Sequence, residues 1–167
     1  MPAALYYLHD PFAPDPNRPT RFGSALVIEA EGKILLQQRK DSFQWGIVSG
    51  DIHNTETFKD CAIRKCITET NIRLFHEEVK ELKLFDDPTR IVSYLDGNIY
   101  RVVSFAYAAK LDKIPEAKAG KDVITLRWVE PEDLNDYNLI VTHREILDYY
   151  LETKGLELNL YDGRIRQ

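Results

Sequence analysis

The sequence predicts an α/β fold, in which a mixed β-sheet is flanked by helices as an α/β/α sandwich or an α+β domain. Strand-like segments stand before and after an amphipathic helical segment, and a second helical segment lies near the C-terminus. Turn signals also join neighbouring strand-like segments into hairpins. A chain of 167 residues has the length of one domain. A domain of this size buries about 70% of its unfolded surface, so it needs no disulfide or metal to hold a core.

The first strands are expected soon after residue 21. GSALVIEA (23–30) and KILLQQR (33–39) are rich in aliphatic residues, and Glu31-Gly32 between them predicts a hairpin. WGIVS (45–49) predicts a short strand that ends at Gly50.

A helix is predicted for residues 55–70. Its apolar stripe has helical spacing and consists of Ala62, Ile63, Cys66 and Ile67. Asn54 or Thr55 is expected to cap the first turn, and Asn71 suits the left-handed residue that often ends a helix.

The second half of the chain predicts more strands and a terminal helix. The strand-like segments are VKELKLFD (79–86), IVSYL (91–95), IYRVVSFAYAA (99–109) and VITLRWV (123–129). Asp96-Gly97 predicts a hairpin between two of them, and residues 142–152 form a second amphipathic helical pattern. LELNLY (156–161) alternates leucines with polar residues, which is typical of an added edge strand, and an open edge invites a partner.

Three regions are therefore expected: an N-terminal arm (1–21), one domain (22–154) and a C-terminal tail (155–167). Five of the chain's eight prolines lie in the arm. Because proline removes a backbone donor, this density predicts an arm without regular structure that lies on the domain or stays mobile.

Composition excludes several classes of function. A net charge of −5 and the absence of a basic run give no reason to expect nucleic acid or an acidic membrane as a partner. No apolar run reaches membrane-spanning length, and the start of the chain lacks the pattern of a signal peptide. Cys61 and Cys66 would point to different faces of one helix, so we expect two reduced thiols and a cytoplasmic location.

The stretch WGIVSGDIHNTETFKDCAIRKCITETNI (45–72) resembles the signature of the Nudix hydrolases, the MutT-like family. That signature is G-x5-E-x7-R-E-U-x-E-E-x-G-U, where U is a bulky aliphatic residue. The residues that match it without a gap are Gly50, Glu56, Arg64, Glu69 and Ile72. Flanking segments extend the resemblance over about residues 22–150. The resemblance implies an α/β/α sandwich with a mixed sheet, a loop-helix-loop site, and Mg²⁺- or Mn²⁺-dependent cleavage of a pyrophosphate linked to a nucleoside.

The departures from this signature concern its carboxylates. Lys65 stands where the family has a metal-binding glutamate, and Thr68 stands where it has the first residue of the Glu-Glu pair. Positions 65 and 69 lie one helical turn apart, so we expect a Lys65–Glu69 ion pair in place of the metal. Two unit charges 4 Å apart interact by about 4 kcal/mol at an effective dielectric of 20, so the usual metal arrangement should be lost or much weakened.

The resemblance also implies a set of site residues. The candidate catalytic residues are Glu56, Arg64, Glu69 and Asp122. The candidate metal ligands are Glu69 and the Ser49 backbone carbonyl, and the candidates for binding substrate phosphate are Lys65 and Arg39. The simpler alternatives are that Glu56 and Arg64 are surface helix charges, and that Asp122 is an ordinary loop acid.

Four aromatic residues lie on the strand-like segments: Tyr94, Tyr100, Phe105 and Tyr107. Core or cross-strand packing is the expectation for all four. A nucleobase could stack on one of them, and the sequence does not distinguish which.

Three functions follow from these patterns. The first is a Nudix-like hydrolase of a nucleoside-diphosphate-linked compound, with impaired or altered metal-dependent activity. The alternative is a catalytically inactive module of the same fold that binds a nucleotide-like ligand or a protein partner. The third is a scaffold that binds a partner, including a second copy in a homodimer, through the arm and the edge at 156–161.

Overall fold

The computed structural model describes residues 3–162, with side chains described as far as residue 155. The described residues form nine strands: β1 Ala4–Tyr7, β2 Arg21–Ala30, β3 Lys33–Arg39, β4 Trp45–Gly46, β5 Val48–Asp51, β6 Lys80–Phe85, β7 Ile91–Tyr94, β8 Ile99–Leu111 and β9 Val123–Val129. The helices are α1 Phe58–Thr70 and α2 Val141–Asp162, with short 3-10 helices at His76–Glu78 and Pro131–Asp136.

The sheet is mixed, as predicted, and β2 lies at its centre. β2 runs parallel to β8 along its whole length, and antiparallel to β5 and then β3 along its two halves. β8 also pairs with β6 and β7, β7 pairs with β1, and β3 pairs with β4 and β9. The two predicted hairpins are confirmed, with positive φ at Glu31, Gly32 and Gly97 in their turns.

Two apolar cores lie on opposite faces of this sheet, because β2 is buried on both sides. Ala25 and Val27 pack into the core that contains Ile146 and Leu147 of α2. The intervening residues of β2 pack into the other core, with Ala62 and Cys66 of α1. The alternation of side chains along a strand therefore places one helix on each face, and the α/β/α sandwich is confirmed.

Helix α1 begins later than predicted. Thr57 is the N-cap, and its hydroxyl and the Asp60 carboxylate form a reciprocal capping box. Asn54 and Thr55 do not cap the helix, because the chain still turns there and the His53 amide donates to the Glu56 carboxylate. At the other end Asn71 is left-handed, with φ of 60°, as predicted.

The arm and the tail differ from their predictions. The prolines of the arm lie outside residues 4–7, so this segment of the arm forms β1 and pairs with β7. The segment 156–161 belongs to α2 instead of forming an edge strand, because no proline interrupts the helix that begins at Val141. The predicted edge strand at 156–161 is therefore wrong, whereas the homodimer stays a prediction.

The segment 45–49 divides into two strands instead of one. β4 pairs with β3, and β5 pairs with β2, so the chain crosses from one neighbour to the other at Ile47. Cys61 and Cys66 are both free, as the sequence predicted, and both are buried. Among residues 3–162, no helix has the length and apolar character needed to cross a membrane.

Candidate functional site

The loop between β5 and α1 is braced by Glu56 and Arg64. Arg64 donates from Nε to Glu56 Oε2 at 2.5 Å, and from Nη2 to the Asp51 carbonyl oxygen at 2.9 Å. The hydrogen bond from Arg64 lowers the pKa of the Glu56 carboxyl. The contacts fix the loop against the helix, so neither side chain is a free surface charge.

Glu69 lies at the centre of the site, and three donors surround its carboxylate. Lys65 Nζ lies 3.1 Å from Oε2, which is the ion pair expected from the sequence. Gln37 Nε2 donates to Oε1 at 2.8 Å, and the Ser49 amide donates to the same oxygen at 3.3 Å. Only 6% of the Glu69 side chain and 19% of the Lys65 side chain are exposed, so solvent screens this pair weakly.

These groups do not fit a divalent metal. Magnesium requires several oxygen ligands in near-octahedral geometry, but both oxygens of Glu69 already accept from nitrogen donors. The Lys65 methylenes also lie against Gly50, where an added Cβ would stand 2.4 Å from Lys65 Cε. Across residues 3–162, no three His, Cys, Asp or Glu side chains are grouped so that they could hold a metal ion.

A cleft of about 200 Å³ opens beside this ion pair. Its basic lining residues come from four elements or loops of the chain and are Arg21, Arg39, Lys65 and Arg90. Its acidic lining residues are Asp51, Glu69 and Asp122. Such a lining offers donors to a phosphate and acceptors to hydroxyl groups of the same ligand.

All four of these basic residues have a carboxylate partner, and that of Lys65 is Glu69. Arg21 lies 2.8 Å from Asp51, and Arg39 lies 3.1 Å from Asp41. Arg90, which is almost completely buried, pairs with a glutamate of α2 and donates to two backbone carbonyls. A ligand phosphate would therefore have to compete with these carboxylates for the basic groups.

His143 on α2 is a site residue that the sequence did not identify. Its Nδ1 accepts from the Ile47 amide at 3.0 Å, so the ring carries its proton on Nε2, which lies 3.4 Å from Ser49 Oγ. Burial, and then the charges of Arg39 and Arg90, lower the pKa of His143 to about 3. The neutral ring therefore donates to the Ser49 hydroxyl, which keeps its own proton for an acceptor in the cleft.

A helical pattern could have indicated this histidine. Residues 143, 146, 147 and 150 lie on one face of α2, and the other three are Ile146, Leu147 and Tyr150 of the core. A histidine on such a stripe is expected to face the sheet. No comparable signal indicated Tyr6, which reaches the cleft from β1, where burial raises the pKa of its hydroxyl.

Some of the predicted site residues line the cleft, and others lie behind it. Arg39, Lys65, Glu69 and Ser49 all line it, whereas Glu56 and Arg64 brace its loop from behind. Asp122 lies exposed at the cleft and follows a loop that is tied to α1. In that loop the Gly120 amide donates to the carbonyl oxygen of Glu69 at 3.0 Å.

Comparisons with known proteins agree with this architecture. The NUDIX domain family model matches residues 18–150. Nucleoside triphosphatase NudI of Escherichia coli is 26% identical over 129 residues, which are 72% of this chain and 89% of the relative.

Solved structures also superpose on most of this chain. A bifunctional NMN adenylyltransferase/ADP ribose pyrophosphatase from Francisella tularensis, complexed with AMP and a manganese ion, superposes with a TM-score of 0.67 at 25% identity. The match covers 83% of this chain but only 43% of that longer protein. The NUDIX domain of Shewanella oneidensis NrtR, complexed with ADP ribose, has a TM-score of 0.67 at 19% identity and covers 87% of this chain and 93% of that one. The latter likeness concerns the fold alone.

Proposed function

Because this chain belongs to the Nudix family, we propose that its cleft binds a nucleoside-diphosphate-linked compound and that metal-dependent hydrolysis of the bound pyrophosphate is strongly impaired. Two relatives favour this class of ligand. One is named a nucleoside triphosphatase, and the other an ADP ribose pyrophosphatase that was solved with AMP. The basic lining of the cleft favours it as well, because phosphates are bound by arginine and lysine.

The observation that carries the proposal is the 3.1 Å contact between Lys65 and Glu69. An ammonium ion stands where the signature has a carboxylate, so a dication approaching Glu69 would be repelled by the lysine. At 4 Å and an effective dielectric of 20, that repulsion is about 8 kcal/mol before any relaxation, since the dication doubles the value for two unit charges. A bound metal would have to displace Lys65 first.

The chain's own groups supply what a phosphate needs. Lys65 is held as a point charge beside the cleft, and Arg39 reaches it from β3. The Ser49 hydroxyl accepts from His143 and can donate to a phosphate oxygen. These groups bind and orient the pyrophosphate, while the Glu56–Arg64 pair keeps the loop in place.

The test measures binding and turnover on the same protein. ADP ribose, ATP and ADP are added to the chain with Mg²⁺, with Mn²⁺ or with a chelator, and thermal stability and the formation of AMP, the product common to all three, are recorded. We expect stabilisation by at least one nucleotide without metal, and slow formation of AMP that Glu69→Gln reduces further. Thr68→Ala, an exposed change one position away, is the matched control and should leave both readouts unchanged. Absence of any nucleotide-induced stabilisation would refute the proposal.

A binding module without catalysis is the second candidate, and the three donors on Glu69 favour it. A carboxylate that already accepts from three protein donors has one of its about four acceptor sites left, which limits its capacity to act as a base or a ligand. This candidate predicts the same stabilisation by nucleotides, no formation of AMP above the uncatalysed rate, and no effect of metal. A residual rate that depends on Glu69 would exclude it in favour of the impaired hydrolase.

A further inference from the structure

A second recess adjoins the cleft and has a volume of about 430 Å³. It is lined by Arg21, Asp51, Tyr94, Asp96, Asn98 and Tyr100. Arg21, Asp51 and Tyr94 line both spaces, so a single ligand can extend from one into the other. Four of its lining residues, Tyr94, Asp96, Asn98 and Tyr100, belong to the hairpin of β7 and β8.

Arg21 is fixed in this recess by hydrogen bonds that lie around the edge of its guanidinium. Nε and Nη2 donate to the Asp51 carboxylate, the latter at 2.8 Å, and Nη1 donates to the Tyr94 hydroxyl at 2.8 Å. These contacts use three of the five N–H groups of Arg21 and leave the flat faces of its guanidinium without a hydrogen-bond partner.

That guanidinium lies over two aromatic rings. Arg21 Cζ lies 4.9 Å from the centroid of the Tyr100 ring and 5.8 Å from that of Tyr94, and the two rings meet edge to face at 6.0 Å. Arginine planes and tyrosine rings are surfaces on which nucleobases stack in proteins. Both rings are only partly buried, so the assembly faces the recess.

The other two aromatic residues that the sequence suggests for base stacking lie on β8 and are already covered by other rings. Phe105 and Tyr107 stack on each other at 5.1 Å, and Phe105 also stacks on Phe58 of α1. They belong to the core under that helix. The aromatic pair beside the cleft is therefore Tyr94 and Tyr100.

We infer that the recess takes the planar base of the ligand, stacked on the Arg21–Tyr100 pair, while the cleft takes the phosphates. This inference rests on the proposed function, because it assigns the second half of the same ligand. It also defines the ligand class: a compound with an aromatic heterocycle is bound more tightly than its phosphate part alone.

The test compares ADP with inorganic pyrophosphate by calorimetry, in the presence of a chelator. We expect ADP to bind at least about tenfold more tightly than pyrophosphate, since stacking of one base on an aromatic residue contributes about 1–3 kcal/mol. Equal affinities for the two probes in the unaltered chain would overturn the inference while leaving the proposed function standing. If neither probe binds, both fail.

Two variants then locate the stacking surface. Tyr100→Leu should weaken ADP binding about tenfold and leave pyrophosphate binding unchanged, which also shows that the variant is folded. Tyr100→Phe keeps the ring and is the matched control, with ADP affinity close to that of the original chain. Loss of ADP affinity in both variants, or in neither, would overturn the assignment to this ring.

Discussion

Replacement of Lys65 by glutamate should make the stability of the protein depend on magnesium. In the original chain the ammonium lies 3.1 Å from the Glu69 carboxylate. At that distance the attraction between unit charges is about 5 kcal/mol at an effective dielectric of 20. Lys65→Glu removes this attraction and places a second carboxylate beside a buried one, so the folded state is destabilised unless a cation binds between them.

Protonation limits the cost of that repulsion. Keeping one glutamic acid neutral at about pH 7 costs about 3.7 kcal/mol, which is 1.36 kcal/mol per unit over the roughly 2.7 units above its ordinary pKa. At about pH 5 the same calculation gives about 1 kcal/mol. Lys65→Met removes the charge without adding a carboxylate, so the difference between the two variants isolates the repulsion. We expect a difference of up to about 4 kcal/mol at neutral pH that shrinks to about 1 kcal/mol in mild acid.

Urea denaturation of the original chain and both variants, with a chelator or with about 10 mM MgCl₂, measures these quantities. Magnesium should restore about 2–3 kcal/mol to Lys65→Glu, the gain expected at about a hundred times the dissociation constant. It should add nothing to Lys65→Met or to the original chain. Lys59→Glu makes the same change of net charge outside the cleft and serves as the control. Magnesium stabilisation of the original chain equal to that of Lys65→Glu would refute the reasoning.

Three further predictions concern the framework of the site. The His143 pKa of about 3 lies below its ordinary value of 6.5. The stability that the neutral ring confers is therefore complete above about pH 6.5, and it falls by up to about 1.4 kcal/mol per pH unit as the pH drops. His143→Gln should flatten the slope of the unfolding free energy against pH, measured between about pH 6.5 and pH 4.5. Arg64→Ala should lower the free energy of unfolding by about 2 kcal/mol, because it removes the partner of Glu56. Denaturant titration of the double variant Arg64→Ala with Glu56→Gln should show a loss smaller than the sum of the two single losses. Additive losses would contradict the interaction of Glu56 with Arg64. Gly120→Ala would place a Cβ 2.1 Å from the Thr68 carbonyl oxygen, so a thermal melt should reveal a loss of about 2 kcal/mol, and an unchanged melting temperature would show that the loop is not tied to α1.

Local features of the fold could be predicted from the sequence, and long-range ones could not. β3 and β9 have their predicted bounds, because a short apolar segment between turn residues specifies a strand by itself. β1 escaped prediction because its partner β7 lies far along the chain, and four residues carry too weak a pattern. The prolines on either side of it also predicted irregular structure for the whole arm.

The same distinction applies to the site. The Lys65–Glu69 pair is confirmed because it joins positions one helical turn apart, which sequence spacing specifies. The contact between His143 and Ile47 spans 96 positions, and only the packing of α2 against the sheet creates it. The carboxylate partners of the arginines follow the same rule: Asp41 is adjacent to Arg39, whereas Asp51 meets Arg21 through the pairing of β2 with β5.

The position of Tyr6 has a consequence for dynamics. β1 has four residues at the margin of the sheet, and short marginal strands open at a small fraction of the global unfolding free energy. Each such opening moves Tyr6 away from the cleft without disturbing either apolar core, since neither core contains a residue of β1. Hydrogen exchange at the amides of this strand should therefore slow when a ligand fills the cleft, which reports occupancy from a strand that is far from α1 in sequence.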